Sequence, residues 1–497
     1  MGQQRRGHLD VAGIPVSTEH WIGGERIASA STFEDVSPID EQVIGHISRG
    51  GPDEARAAVA AADRAFPEWA ATPPARRAEL LHRVADIVER RIDELAIVET
   101  TDNGALLRSH LRGVMPRVAH NFRFFADYLV DDLHHPDFDT RGHRNHVSWD
   151  PSGPAVLITP WNAPLMLATW KVAPALAAGC TVVLKPAEWS PLTASLLADI
   201  THEAGLPAGV FNVVQGLGEE VGDALTGHPD VRRISFTGSV PTARIIARSA
   251  AANLTPCSFE LGGKSPFVVF ADADLDAAVT HAVEQYDNAG QVCLAGVRLL
   301  VEESIHDEFV ERFLVRAAQI RQGDPRDLST DIGPQISREH LERVDGFVRR
   351  AVADGAEVLL GGGPNTDLAE AGMGGLYYRP TLFAGARPGS EILTSEVFGP
   401  VLTVQSFRDE DEAIAMANGT EFGLAGVLFT GDPERAERVG SRLVAGTLWV
   451  NCFFVRDLRA PFGGSRHSGV GREGGTWSFD FYCDVKNTCT NQDRWTR

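Results

Sequence analysis

TVVLKPAEWSPLTASLLADITHEAGLPAGVFNVVQG, residues 181–216, holds two short apolar runs with a helical pattern between them. The runs TVVLKP (181–186) and FNVVQG (211–216) have the length of buried strands and end in turn residues. Between them Ser190 is placed to cap a helix and Pro191 to occupy its first turn. Leu192, Leu196, Leu197 and Ile200 then share one face, and Gly205 closes the helix. The same strand signal recurs in AVLITP (155–160), RRISFTG (232–238) and SPFVVF (265–270). Strand–helix–strand alternation predicts a mostly parallel sheet with helices on both faces, an α/β fold. Five strands are expected in that sheet. A second alternating region follows, with helices expected near 303–321 and 337–354 and strands near 400–407, 424–430 and 446–451. A long segment before the first sheet, 53–130, carries ARAAVAAADRAF and RRAELLHRVADIVERRIDELAIV, both amphipathic and structural in pattern.

At 497 residues the chain is too long for one compact core, so two or three domains are expected. Its net charge of -21 argues against nucleic acid and anionic membranes as partners, since both attract basic surfaces. No run of apolar residues is long enough to span a bilayer. The start, MGQQRRGHLD, lacks the apolar stretch of a signal peptide, and Arg6 stands where myristoylation requires Ser or Thr. The six cysteines (180, 257, 293, 452, 483, 489) have no paired spacing. Reduced thiols and a cytoplasmic location are expected. Four histidines at 134, 135, 143 and 146 fit no zinc spacing, so no metal is expected. Basic residues are nearly all arginine. The lysines are Lys171, Lys185, Lys264 and Lys486, and a chain this poor in lysine keeps some for chemistry that arginine cannot do.

Open α/β sheets bind ligands outside the carboxyl ends of their strands. Trp161-Asn162-Ala163-Pro164 follows the first run, and Lys185 with Glu188 ends the second. Gly216-Leu217-Gly218 with Gly222 follows the third, and Gly238-Ser239 the fourth. A lysine and a carboxylate three residues apart suit the hydroxyls of a nucleotide ribose. The glycines either admit a pyrophosphate or form plain turns. Glu260, in ELGGK (260–264), is either a surface charge in a turn or a working carboxylate. In DNAGQVCLAGVRL (287–299), Cys293 is either a buried structural thiol or a nucleophile.

Taken in order, WNAP, KPAE, FTGS, ELGGK, NAGQVC, EVFGP and PFGGSRHSGVGREGG resemble the aldehyde dehydrogenase superfamily from about residue 20 to the end. Two departures touch no chemical group: Tyr286 replaces a usual phenylalanine, and Ser395 a usual acid. The resemblance implies that Cys293 is the nucleophile, attacking an aldehyde carbon to give a thiohemiacetal and then a thioester. It implies that Glu260 is the general base for hydrolysis, and that the Asn162 amide and the Cys293 N–H hold the oxyanion. Lys185 enters both the catalytic and the cofactor sets. Trp161, Lys185, Glu188, Gly218, Gly222, Phe236, Gly238, Ser239, Leu261, Glu396 and Phe398 correspond to cofactor positions. Glu188, aimed at a 2'-hydroxyl, favours NAD over NADP.

Two longer stretches, MPRVAHNFRFFADYL (115–129) and NCFFVRDLRAPFGGSRHSGVGREGG (451–475), are similar to dehydrogenases of 2-hydroxymuconic, 2-aminomuconic and 5-carboxymethyl-2-hydroxymuconic semialdehydes. Arg117 and Arg456 match arginines that bind the substrate carboxylate in those enzymes; otherwise they are structural ion pairs. A CoA-acylating relative typically lacks the base, so Glu260 speaks against it. A broad-specificity or betaine aldehyde dehydrogenase is the alternative, and a non-enzymatic crystallin-like role a remote one. The resemblance implies an NAD-binding domain from 1–128 and 149–259, a catalytic domain from 260–475, and a bridging oligomerisation element from 129–148 and 476–497. Homodimers or homotetramers are implied, with a small-molecule aldehyde as substrate.

Overall fold

The computed structural model describes residues 7–492. Residues 1–6, including Arg6, and 493–497, the end of the expected bridging element, lie outside the described residues. Among the described residues, the strands gather into one sheet of eight strands, one of seven and three smaller sheets. The first large sheet is built around β1 (Pro154–Ile158), β2 (Thr181–Lys185), β3 (Phe211–Val213), β4 (Arg233–Gly238) and β5 (Cys257–Leu261). These run parallel in the order β5-β4-β1-β2-β3. Chain order reverses between β1 and β4, which opens a crevice outside their carboxyl ends. All five residues of β2 are buried, because helices cover both faces of a parallel sheet. Short antiparallel strands, His20–Ile22 with Glu25–Ile27 and Gly469–Val470, close its edges.

The second large sheet contains β6 (Pro266–Val269), β7 (Arg298–Glu302), β8 (Thr381–Ala384), β9 (Val401–Phe407), β10 (Ala425–Phe429) and β11 (Thr447–Val450). They are parallel in the order β8-β9-β7-β6-β10-β11. Glu357–Leu360 pairs antiparallel on the β8 edge.

Two expectations are corrected here. The run 265–270 is not the fifth strand of the first sheet; its core is β6, in the second. The fifth strand is CSFEL, whose pattern is broken by the buried Glu260, so it reads as a turn in sequence. β5 also continues through the boundary drawn between 259 and 260. The glycines of ELGGK then carry the chain from one sheet to the other. The second correction concerns α2 (Leu192–Glu203), which follows α1 (Pro164–Ala178). Ser190 does not cap it, for its buried Oγ has no hydrogen-bond partner among the described residues. The Leu192 N–H is instead accepted by Asp102 Oδ2 at 2.9 Å, from a helix ninety residues earlier. A cap supplied from that distance leaves no local signal.

The 53–130 segment is broken into helices Pro52–Ala71, Pro74–Arg90, Ile92–Asn103 and Met115–Asp127, with a π turn at His110–Val114 entering the last. A π turn inside a helix often marks a functional wall. A three-stranded sheet, Asp137–Thr140, His143–Pro151 and Cys483–Asn491, stands apart from the two large ones. There His146 pairs with Asp137 at 2.6 Å and stacks on His135 with ring centres 6.1 Å apart. No helix of the described residues is long and apolar enough to cross a membrane.

Arg298, buried at the start of β7, ties the second sheet to its helices. Its guanidinium donates to the carbonyls of Lys264 (2.9 Å), Met416 (2.7 Å) and Ala417 (2.6 Å), the last two ending the helix Glu410–Ala417. Arg298→Met leaves these carbonyls without donors. It should lower stability by about 3 kcal/mol, read as a fall in the urea midpoint. A midpoint within error of the wild type would show that the carbonyls find other donors.

Candidate active site

The turn before Cys293 is built from residues that resist it. Asn288, Ala289 and Gly290 all have positive φ, at 49°, 54° and 73°. For alanine this conformation is strained, so neighbours must hold it. Asn288 Nδ2 donates to the Asn162 carbonyl (3.1 Å), and Gln335 Nε2 to the Ala289 carbonyl (3.1 Å). Gln291 Nε2 donates to the Asn288 carbonyl (3.0 Å), while its Oε1 accepts from Ile336 N–H (2.9 Å). A Cβ on Gly290 would stand 2.1 Å from the Gly399 carbonyl oxygen. The Gly-Gln pair thus serves the turn that presents the thiol. Tyr286 is buried with its hydroxyl donating to the Thr381 carbonyl (2.9 Å), which accommodates the departure from phenylalanine.

Cys293 lines a cavity of about 600 Å³ together with Asn162, Glu260, Leu261, Arg117, Arg456 and Glu473. Burial pushes its thiol up to about 12, and the charges of Glu396 and Glu260 act in the same direction. Glu260 reaches the cavity from β5. Neither carboxyl oxygen has a hydrogen-bond partner among the described residues. A Cβ on Gly463 would lie 2.8 Å from its Oε1. Burial, and then the nearby Glu473, raise its pKa well above the usual carboxylate range, against the pull of Lys171, Arg456 and Arg472. Lys171 Nζ is itself buried, donating to Glu473 Oε1 (2.7 Å) and Ser235 Oγ (2.9 Å). Asn162 follows β1, and its Nδ2 donates to the Gln291 carbonyl at 2.9 Å. That bond fixes the amide and uses one of its two N–H donors.

The remaining expected residues line up along the carboxyl edge of the first sheet. Lys185 Nζ donates to Glu188 Oε2 at 3.0 Å beyond β2. Lys185 does not line the cavity with Cys293, so the structure does not bring it to the reacting groups. Ser239 caps α3 (Val240–Ala251), its Oγ accepting from Thr242 N–H at 3.3 Å. Gly238 admits no side chain, since a Cβ would stand 2.4 Å from the Phe236 ring. Gly218 and Gly222 bound a π turn where a Cβ would meet nothing, so contacts within this chain do not demand glycine there. Trp161 meets Phe398 edge-on, with ring centres 5.4 Å apart. Glu396 Oε1 accepts from Gly263 N–H at 3.0 Å, and burial raises its pKa to about 7.

Arg117 and Arg456, distant in sequence, meet in the cavity. Arg456 lies between the rings of Phe462 (3.8 Å) and Trp170 (4.6 Å), with Nη2 buried and unpartnered among the described residues. Burial, then the like charge of Arg117, lower its pKa to about 10. Arg117 is half-buried, with Asp457 as the carboxylate acting on it.

The family model of the aldehyde dehydrogenases matches residues 26–488. The chain belongs to the aldehyde dehydrogenase family. It is 45% identical to the 2-hydroxymuconic semialdehyde dehydrogenase of Pseudomonas sp. (strain CF600), over 95% of this chain and 99% of that one. Identity to the 2-aminomuconic semialdehyde dehydrogenase of Danio rerio is 42%, over 94% and 97%. The betaine aldehyde dehydrogenase of Staphylococcus aureus, solved in complex with NAD+, superposes with a TM-score of 0.93 at 37% identity, covering 97% of this chain and 96% of that one.

Sequence reasoning missed the partner residues of this dehydrogenase site. Glu473 lay inside a quoted motif without a role, and Lys171 was marked only by the scarcity of lysine. The rings that flank Arg456 gave no signal, because Trp170 and Phe462 read as ordinary core. Among the cavity-lining residues Cys293 is the one thiol. Cys293→Ala should lower aldehyde turnover at least about a thousandfold, while Cys257→Ala leaves it near wild type. Alkylation of Cys293 by iodoacetamide should quicken as pH rises through neutrality, since the thiol is held protonated. Turnover surviving in the alanine variant would remove Cys293 from the chemistry.

Proposed function

We propose that this aldehyde dehydrogenase oxidises a carboxylated semialdehyde of the muconic type to the corresponding acid, with NAD as cofactor. One observation carries the substrate assignment: Arg456 lines the same cavity as Cys293, with an enclosed Nη2 that has no hydrogen-bond partner among the described residues. A buried donor without an acceptor is costly, and a substrate carboxylate removes that cost. Arginine suits the task because its planar fork offers two parallel donors to a carboxylate. The same positive wall disfavours a quaternary ammonium substrate, which argues against the betaine alternative.

The chemistry follows from the groups in the cavity. Glu260, its pKa raised by burial and the nearby Glu473, in its ionised form takes the proton of the Cys293 thiol, and the sulfur attacks the aldehyde carbon. The second N–H of the Asn162 amide and the Cys293 N–H receive the oxyanion. NAD, when bound, supplies the hydride acceptor. Glu260 gives the thiol's proton up to solvent and then withdraws one from the water that attacks the thioester on Cys293. The sulfur leaves as thiolate and is reprotonated, and the carboxylic acid is released.

Residues at the crevice fit the cofactor. The N-terminus of α3 behind Ser239 suits a pyrophosphate, and the Lys185–Glu188 pair suits the adenosine ribose. Where Gly262 has no side chain, the Glu396 carboxylate stands; a Cβ there would be 1.9 Å from its Oε2. The reading places Glu396 on the nicotinamide ribose and Phe398 against the ring. Assembly as a homodimer or homotetramer through the three-stranded sheet is supported by its exposed Phe138 and Val485.

Three outcomes follow. Turnover should rise with pH above the ordinary carboxylate range, because Glu260 acts as a base only after losing its proton. Glu260→Gln should flatten that limb in steady-state profiles from about pH 5 to 9, and an unchanged limb would assign it elsewhere. Arg117→Ala should lower kcat/KM for a carboxylated semialdehyde roughly tenfold to a hundredfold and spare a neutral aldehyde such as hexanal. Equal losses on both would make the arginine structural. NADP should bind more weakly than NAD, and Glu188→Gln should narrow the difference; equal binding of the two by the wild type would overturn the role of Glu188.

A further inference from the structure

Helix α4 (Arg338–Ala353) meets the segment 396–399 at each of its residues. Arg343 Nη2 donates to the Glu396 carbonyl at 2.8 Å, and its Nη1 to the Val397 carbonyl at 2.6 Å. His340 lies 2.7 Å from the Phe398 carbonyl through Nε2. A carbonyl only accepts, so Nε2 carries the proton. Gly399 follows, where a Cβ would stand 2.6 Å from Val344. Three consecutive main-chain carbonyls therefore receive donors from one face of one helix, since positions three apart are neighbours on its surface.

The arrangement is firm on the helix side and strained on the loop side. Ser337 caps the helix, its Oγ accepting from His340 N–H at 3.1 Å. Val397 packs into the apolar cluster of Leu341, Val344 and Phe347. Phe398, in contrast, has φ of 61°, a conformation that a bulky side chain adopts only when its surroundings impose it. On the far side, Gly263 N–H holds the Glu396 carboxylate, and Gly290 lies against the Gly399 carbonyl. The segment is thus clasped between α4 and the turn that presents Cys293.

We infer that His340 and Arg343 are positioning residues for the nicotinamide end of the cofactor, fixing the Glu396 carboxylate and the Phe398 ring through three main-chain carbonyls. The inference rests on the reading of Glu396 and Phe398 as contacts of the nicotinamide ribose and ring. Arg343 serves two adjacent carbonyls because its guanidinium is a rigid fork; a lysine serves one at a time. Without the donors, Phe398 loses what holds it in the left-handed region, and its ring swings from the side of Trp161. Arg343 makes no contact with Lys185, Glu188 or Ser239, whereas the His340 ring also meets Trp161 edge-on, with ring centres 5.3 Å apart, so Arg343 separates the two halves of the site more cleanly.

The test uses the full-length enzyme without aldehyde and measures binding of NAD and, separately, of ADP-ribose, which lacks the nicotinamide. In Arg343→Met, which keeps the His340 ring on Trp161, the Kd for NAD should rise about tenfold or more, the loss of two hydrogen bonds, while the Kd for ADP-ribose stays within about twofold. In His340→Ala the Kd for NAD should rise at least as much. His340→Gln, which keeps an N–H donor at that place, should recover most of the NAD affinity, and Arg343→Lys part of it. If the alanine or methionine variant fails to fold, the glutamine and lysine variants carry the comparison. Unchanged NAD binding in every variant would overturn the inference. So would an equal loss of ADP-ribose in the Arg343 variants, which would mark a general structural role. A wild type that binds ADP-ribose and NAD with the same affinity would instead overturn the assignment of Glu396 and Phe398, and the inference with it.

Discussion

How near several backbone segments must come to one another decides this site. The β5–β6 link, the turn before Cys293, the loop 396–399 and the stretch at 463 all converge within a few ångströms. A Cβ on Gly263 would sit 2.7 Å from the Cys293 carbonyl, and one on Gly262 would enter the Glu396 carboxylate. Gly290 meets Gly399, and Gly463 meets Glu260. Each contact is closer than a side chain permits. Glu260 arrives from the first sheet, Cys293 from just ahead of β7 in the second, and Glu396 from the loop before β9. Glycine is what lets three parts of the fold share one point. The motifs ELGGK, NAGQVC, EVFGP and PFGG are this one geometric demand written four times.

The second demand is electrostatic. Burial of the thiol, then the charges of Glu396 and Glu260, raises the pKa of Cys293, and Glu473 raises that of Glu260. Lys171 and Arg456 oppose them. A buried acid facing no hydrogen-bond donor among the described residues is costly, and burial raises the pKa of Glu260 well above the usual carboxylate range. Lys171 anchors Glu473 in a fully buried ion pair, so Glu473 acts on Glu260 as a fixed neighbour.

The fold was legible at most of the continuous apolar runs. β1 to β4 and the strands β9 to β11 follow from short apolar runs bounded by turns, whereas β7 and β8 were not anticipated. β5 was not legible, because its role places a carboxylate in the middle of a strand. The helix cap from Asp102 was not legible either, since local patterns carry no information about a residue ninety positions away. Cys293, Glu260 and Asn162 carried chemical identity in their motifs, and they converge in the structure. The groups that tune them did not, for a buried Glu473 or a His340 is recognised only by what it touches. Lys185 marks the opposite case: its motif was distinctive, yet its geometry ties it to Glu188 and away from the thiol.

The two cavity arginines, equivalent in sequence terms, are unequal in physical ones. Arg456 acts on both reacting groups, holding down the pKa of Glu260 and of Cys293, while Arg117 figures in neither balance. Taking away the Arg456 charge therefore makes both protons harder to remove, whatever aldehyde is present. It also removes the guanidinium that packs on the rings of both Trp170 and Phe462. Arg117 bears on Arg456 and His120 by its charge and stands towards Asp457, so its removal is felt mainly where a ligand carboxylate would lie. The consequence is a division of labour within one positive wall. Arg456 bears electrostatically on Glu260 and Cys293 as well as lining the cavity, while Arg117 lines the cavity and bears on Arg456.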